Sequence, residues 1–199
     1  MLPIHIEKNL EMLDPNKYAF VSADGNITLV ETKTNGWANL KCIFSKDSIV
    51  FYSPDKNVMP YLRAEKEHGC KSCPDAFIYQ KEKDANIWSL HIIEFKRTID
   101  PTRLNKSKQQ FKMGIYNARA IAALLGFTLQ TIIVYSAYRN DKTVNKADTI
   151  GPRAMMHNTE SIIDWNNDIC TLTEDGKEGK YPHMKIHLNE DDGNGNTTI

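Results

Sequence analysis

Pro74-Asp75-Ala76-Phe77-Ile78-Tyr79 is followed, after a polar gap, by Trp88-Ser89-Leu90-His91-Ile92-Ile93-Glu94-Phe95-Lys96. Both runs are apolar enough to read as strands, on which side chains alternate between faces. Glu94 and Lys96 therefore share one face, with Phe95 on the other, and Asp75 shares a face with Phe77 and Tyr79. The linking Lys81-Glu82-Lys83-Asp84-Ala85-Asn86 is polar and contains turn formers, which predicts a hairpin. Antiparallel pairing then brings Asp75 beside Glu94. Two carboxylates so placed repel each other unless a cation lies between them. Oxygen donors suit Mg²⁺ or Mn²⁺ better than a soft metal. Such an ion activates water and neutralises charge on a phosphate. Lys96 stands where an ammonium would hold the attacking water or the developing negative charge.

Glu-x-Lys also arises by chance in a chain with 25% charged residues, usually as a solvated cross-strand pair. Two features favour chemistry here. Glu94 and Lys96 follow the apolar run Leu90 to Ile93, where charge is unexpected, and Pro74-Asp75 stands at the mouth of the preceding run.

Pro74-Asp75, a gap, then Glu94-Phe95-Lys96 resembles the PD-(D/E)XK nuclease superfamily, which includes restriction endonucleases, Holliday-junction resolvases and RecB-type exonucleases. With the helix and strand that follow, the resemblance extends over residues 75–138. It implies an α/β (α+β) fold: a restriction endonuclease-like mixed central β-sheet flanked by helices. It implies a nuclease whose metal is held by Asp75, Glu94 and the Phe95 carbonyl, with Lys96 as the catalytic lysine. It also implies a supporting glutamine on the next helix, directly before an apolar residue, which Gln110-Phe111 fits better than Gln109. The RecB-type Gln-x-x-x-Tyr is not met, since Met113 and Gly114 occupy the positions where tyrosine would stand. Members often carry an acid on a helix before the metal-binding strand, which makes Glu65 an additional metal-ligand candidate and Glu7 and Glu11 weaker ones. Partners implied by the resemblance are nucleic acid, with DNA favoured, and a homodimer or a larger restriction, repair or phage-defence complex.

The helix itself is well signalled. Asp100 suits an N-cap, Pro101 a first residue and Gly126 a terminator. Phe111, Ile115, Ala118, Ala122 and Leu125 form a core stripe at helical spacing. Between residues 96 and 119 lie Lys96, Arg97, Arg103, Lys106, Lys108, Lys112 and Arg119 against the single acid Asp100. Such a cluster is commonly a solvated face. Placed directly after the candidate catalytic strand, Arg97, Arg103, Lys106, Lys108 and Lys112 are candidates for phosphate contact. The buried-strand pattern of residues 127–138 completes a strand–helix–strand unit that favours a parallel crossover.

The rest of the chain is read more coarsely. A short helix is expected around Ile6–Leu13, then an N-terminal β meander from Ile27–Val30, Trp37–Phe44 and Ile49–Tyr52. A helix is expected over Val58–Lys66, carrying Glu65. Cys70-Lys71-Ser72-Cys73, with His68 just before it, reads first as two small, partly buried thiols. Structural Zn²⁺ is the second reading and needs two further ligands, for which Cys42, Cys170, His183 and His187 are available, though none is at a familiar spacing. Met155, Met156, Ile162, Ile163 and Trp165 suggest a covering helix or loop, residues 171–179 a loop, and residues 183–188 an edge strand. One domain over residues 1–188 is expected, with residues 1–56 the N-terminal helix and strands, 57–138 the catalytic core and 139–188 a cover. Residues 189–199, rich in Gly, Asn and acids, read as a flexible tail.

A chain of 199 residues suits one domain. Basic and acidic residues balance at 25 each, so any nucleic-acid affinity must come from local concentration of charge. No run of about 18 apolar residues marks a membrane span, and the opening residues lack a leader pattern. A cytoplasmic location with reduced cysteines is expected.

Overall fold

The fold grows from the hairpin and the helix that follows it, in a computed structural model that describes residues 2–32, 37–52, 72–143 and 160–199. Strand β5 (Ala76–Lys81) pairs antiparallel with β6 (Ile87–Ile99), with Ala76 opposite Ile93 and Ile78 opposite His91. Helix α2 (Pro101–Leu125) starts two residues after β6 ends. The Asp100 side chain accepts a hydrogen bond from the Arg103 N–H at 3.0 Å, and Gly126 closes the helix with φ 81°, a left-handed conformation that glycine adopts without strain. The chain then returns as β7 (Thr128–Asp141), parallel to β6 with Glu94 opposite Ser136.

Three further strands precede the hairpin where three were expected as a meander, and a fourth joins them. β1 (Tyr18–Val21) and β4 (Ser48–Tyr52) enter the main sheet, whereas β2 (Asn26–Glu31) and β3 (Ala38–Ile43) form a separate sheet. The expected meander is thus divided between two layers. The first helix, α1 (Ile4–Leu10), buries Ile6 and Leu10 and ends three residues before Leu13. The helix expected at residues 58–66 lies outside the described residues, as do Met155 and Met156.

The C-terminal third departs most from expectation. Residues read as a loop form β8 (Ile169–Glu174), joined to β9 (Lys177–His187) by Asp175 and Gly176. Both turn residues have positive φ (50° and 74°), the geometry that lets a two-residue turn follow strand twist. The expected edge strand is interior, since β9 lies between β7 and β8. Residues read as a tail form β10 (Asn194–Thr198), which pairs parallel with β3, and Ile199 is buried behind it.

The result is a mixed seven-stranded sheet in the order β1-β4-β5-β6-β7-β9-β8 and a three-stranded sheet in the order β10-β3-β2. One face of the large sheet carries α1, α2 and a helical segment at 160–166. Phe77, Tyr79, Leu90 and Ile92 pack there on Phe111, Ile115 and Ala118. Tyr79 adds a hydrogen bond from its hydroxyl to the Ala118 carbonyl at 2.7 Å. Each fully buried large apolar side chain in this layer contributes about 1.5–3 kcal/mol. The opposite face carries the small sheet, with Leu29, Leu40, Cys42 and Phe44 packed on Val50, Ile78, Ile93 and Tyr135. Helices therefore flank one face of the central sheet, and the small sheet covers the other. No helix among the described residues is long and apolar enough to cross a membrane.

Candidate active site

Strand alternation decides which face the charged residues take. Phe95 follows Ile93 into the small-sheet core, while Glu94 and Lys96 continue the row of Leu90 and Ile92 toward α2. Asp75 precedes Ala76 at the end of β5. Its backbone N–H donates to the Ile93 carbonyl at 3.1 Å, and its Oδ2 accepts the Phe95 N–H at 2.7 Å. Backbone and side chain together clamp Asp75 against the stretch of β6 that bears Glu94.

Glu94 is only 2% exposed. The Lys96 Nζ contacts its Oε1 and also donates to the Gln110 Oε1 at 2.8 Å. The Gln110 Nε2 donates to the Cys73 carbonyl at 3.2 Å. Gln110 thus ties the segment before Asp75 to the lysine on the next strand. The Glu94 Oε2 is buried and has no hydrogen-bond partner among the described residues. A buried carboxylate oxygen in that condition carries a desolvation cost that a cation would relieve. The Asp75 and Glu94 carboxylates are hard oxygen donors, the kind that Mg²⁺ or Mn²⁺ takes. Among the described residues, no three His, Cys, Asp or Glu side chains gather as a metal cluster. Any ion here would draw on Asp75, Glu94, the Phe95 carbonyl and water.

Other candidates fall elsewhere. Glu65 lies outside the described residues. Glu7 is on α1, and Glu11 follows it as the C-cap. That helix meets the far end of α2, near Gly126, roughly 24 Å along the helix axis from Gln110 at 1.5 Å per residue.

The basic cluster on α2 splits between two flanks. Arg103 and Lys106 are exposed on the flank shared with Gln110. The Arg103 guanidinium reaches the Thr98 carbonyl at 3.1 Å and Asp100 at 3.5 Å. Lys108 pairs instead with Asp164 at 2.7 Å and Arg119 with Glu174 at 2.6 Å, both toward β8. Tyr116 reaches Asp175 on that same side. Arg97 is exposed on β6 just beyond Lys96, and Lys112 is half-buried.

Among the described residues, the possible zinc ligands do not converge. Cys70 and His68 lie outside the described residues, and the Cys73 Sγ accepts from the Asn117 Nδ2 at 3.7 Å. Cys42 and Cys170 sit in different cores on opposite faces of the large sheet. Burial pushes both thiols up to about 12, far from the thiolate that zinc binds. His183 is buried between Phe111 and Trp165, with its Nε2 2.9 Å from the Ser136 Oγ, while His187 lies exposed against Tyr138. Burial holds His183 down at about 4.

Two contributors to the site were not anticipated from sequence. The Cys73 carbonyl anchors Gln110. Gly114, mid-helix, lets α2 approach Pro74: an added Cβ would stand 2.8 Å from the Pro74 Cγ. A glycine inside a long helical pattern was the available signal for such a close approach.

No protein-family model matches the chain, and neither does any curated protein or solved structure.

Proposed function

We propose that this chain is a Mg²⁺- or Mn²⁺-dependent nuclease of the PD-(D/E)XK type, with a restriction endonuclease-like core, that hydrolyses phosphodiester bonds in DNA. One observation carries the reading. Asp75, Glu94, Lys96 and Gln110, spread over 36 residues of sequence, meet at the end of one hairpin, and one buried Glu94 oxygen there lacks a hydrogen-bond partner among the described residues. A structural ion pair alone needs neither the second carboxylate nor the amide.

In this mechanism Asp75, Glu94 and the Phe95 carbonyl would hold the ion. When bound, a divalent cation supplies Lewis acidity, neutralising phosphate charge and making water a better nucleophile. Lys96 presents its ammonium to the attacking water or to the charge that develops on the phosphate. Gln110 keeps Lys96 aimed, because its Oε1 accepts from the ammonium while its Nε2 is tied to the Cys73 backbone. Arg103 and Lys106, exposed on the flank of α2 that carries Gln110, and Arg97, exposed just beyond Lys96, would contact flanking phosphates. A cytoplasmic endonuclease working as a homodimer or as a subunit of a restriction, repair or defence system is the corresponding biological setting.

The test is cleavage of supercoiled plasmid, linear duplex and single strands with Mg²⁺, Mn²⁺ or EDTA, comparing wild type with Lys96→Ala. Metal-dependent cleavage that disappears in the variant is expected, and the substrate that is cut assigns the subclass. Equal cleavage by both proteins would sink the assignment of Lys96.

A further inference from the structure

We infer that Lys96 is the resident counter-ion of Glu94, which it yields to the divalent cation while remaining held by Gln110. This rests on the nuclease reading and goes a step further, to how the site accepts its ion.

Glu94 is 2% exposed and the Lys96 side chain 11%. A carboxylate this deeply buried needs an opposite charge beside it. The Lys96 ammonium supplies that charge at Oε1, and Oε2 has no hydrogen-bond partner among the described residues. A cation taken up between Asp75 and Glu94 would bring like charge against the Lys96 ammonium. Lys96 must then withdraw from Glu94 or weaken the binding of the ion.

Gln110 determines where Lys96 goes. Its amide has a fixed sense: the Oε1 faces the ammonium and the Nε2 faces the Cys73 carbonyl, 2.8 and 3.2 Å away. Flipping the amide would set N–H against ammonium and oxygen against carbonyl oxygen, two repulsive contacts. Lys96 therefore keeps one acceptor that does not depend on Glu94. Gln110 is in this sense a positioning residue, acting only through Lys96. A purely structural Glu94–Lys96 pair predicts none of the metal effects that follow.

Calorimetric titration with Mn²⁺ tests the inference on wild type, Asp75→Ala, Lys96→Met, Gln110→Ala and the Lys96→Met/Gln110→Ala double variant. Wild type binds and Asp75→Ala does not. Lys96→Met binds at least about ten-fold tighter than wild type, because the competing charge is gone. Gln110→Ala binds several-fold weaker, because Lys96 then keeps Glu94 as its one partner among the described residues. The double variant binds as tightly as Lys96→Met. Lys96→Met binding no tighter than wild type overturns the counter-ion inference and leaves the metal site standing. Absence of Mn²⁺ binding in both wild type and Lys96→Met overturns the nuclease reading itself. Should Lys96→Met not fold, Mg²⁺ titration of the wild type monitored at the Lys96 side-chain ammonium by NMR decides the matter. A resonance that stays put as the site fills overturns the inference, and one that shifts in step with binding upholds it.

Discussion

Gly114→Ala sets two opposing effects against each other, and the structure decides the sign. Gly114 lies in the middle of α2, where alanine is favoured over glycine by about 1 kcal/mol in an exposed helix. At this position the added Cβ would stand 2.8 Å from the Pro74 Cγ, 3.1 Å from its Cδ and 3.5 Å from the Ile92 Cδ1. Carbon atoms prefer about 3.5–4.0 Å, so the Pro74 contacts are overlaps and the Ile92 contact is ordinary. Pro74 is a closed ring and cannot swing aside as a flexible side chain would. Overpacking of this kind costs about 1–3 kcal/mol, which leaves a net loss of about 1 kcal/mol after the helical gain. The functional effect should exceed the loss of stability, because Pro74 gives way by moving Asp75 relative to Glu94. Urea unfolding of Gly114→Ala, paired with Mn²⁺ titration of the folded variant, measures both. A variant about 1 kcal/mol more stable than wild type, with unchanged Mn²⁺ affinity, would refute the claim that α2 presses on Pro74.

Three further outcomes are expected. Burial lowers His91 and His183 to about 4, against 6.5 in the unfolded chain. Desolvation is the main cause for both; Glu82 opposes it at His91, while Lys185 adds to it and Asp168 and Asp164 oppose it at His183. Below 6.5 the unfolded state takes up protons that the folded state refuses, so stability present above that pH is lost between about 6.5 and 4, by up to about 3 kcal/mol per histidine. Urea midpoints at pH 7, 5.5 and 4 should fall accordingly, and a flat profile contradicts the burial of both rings. Lys106→Ala should leave stability within about 0.5 kcal/mol of wild type and reduce the salt slope of DNA binding by about one. Lys108→Ala leaves Asp164 with Thr171 as its partner among the described residues and should cost about 1–2 kcal/mol of stability, so equal effects of the two on DNA binding would argue against separate flanks. Deleting residues 194–199 removes β10 from β3 and uncovers the core that Ile199 closes. A loss of more than about 2 kcal/mol and faster proteolysis are expected; an unaltered digestion rate would return the segment to the status of a tail.

Much of the hairpin, α2 and β7 was legible because their signals are local. Alternation of apolar residues in 88–96 places Glu94 and Lys96 on one face, and Asp100, Pro101 and Gly126 bracket the helix in the sequence itself. Asp75, Glu94 and Lys96 could be nominated from these elements, and Gln110 from the family resemblance that they carry. The sequence does not reveal that α2 has two differently employed flanks, so Lys108 looked equivalent to Lys106 until Asp164 was found beside it. Residues 171–179 looked like a loop because Thr, Glu, Asp and Gly dominate them, yet burial of Cys170 and Leu172 makes a strand of the first part. Residues 189–199 looked like a tail because they are polar and glycine-rich, yet Asn194 hydrogen-bonds Asn39 across 155 residues of chain. The sequence by itself therefore determined the strand–strand–helix–strand order and the face on which each charge lies. Tertiary structure alone decided the split of the strands into two sheets, the fate of each lysine on α2 and the anchoring of Gln110 on Cys73. The physical reason is that periodicity and capping act within one element, whereas pairing partners, counter-ions and close backbone approaches are supplied by residues distant in the chain.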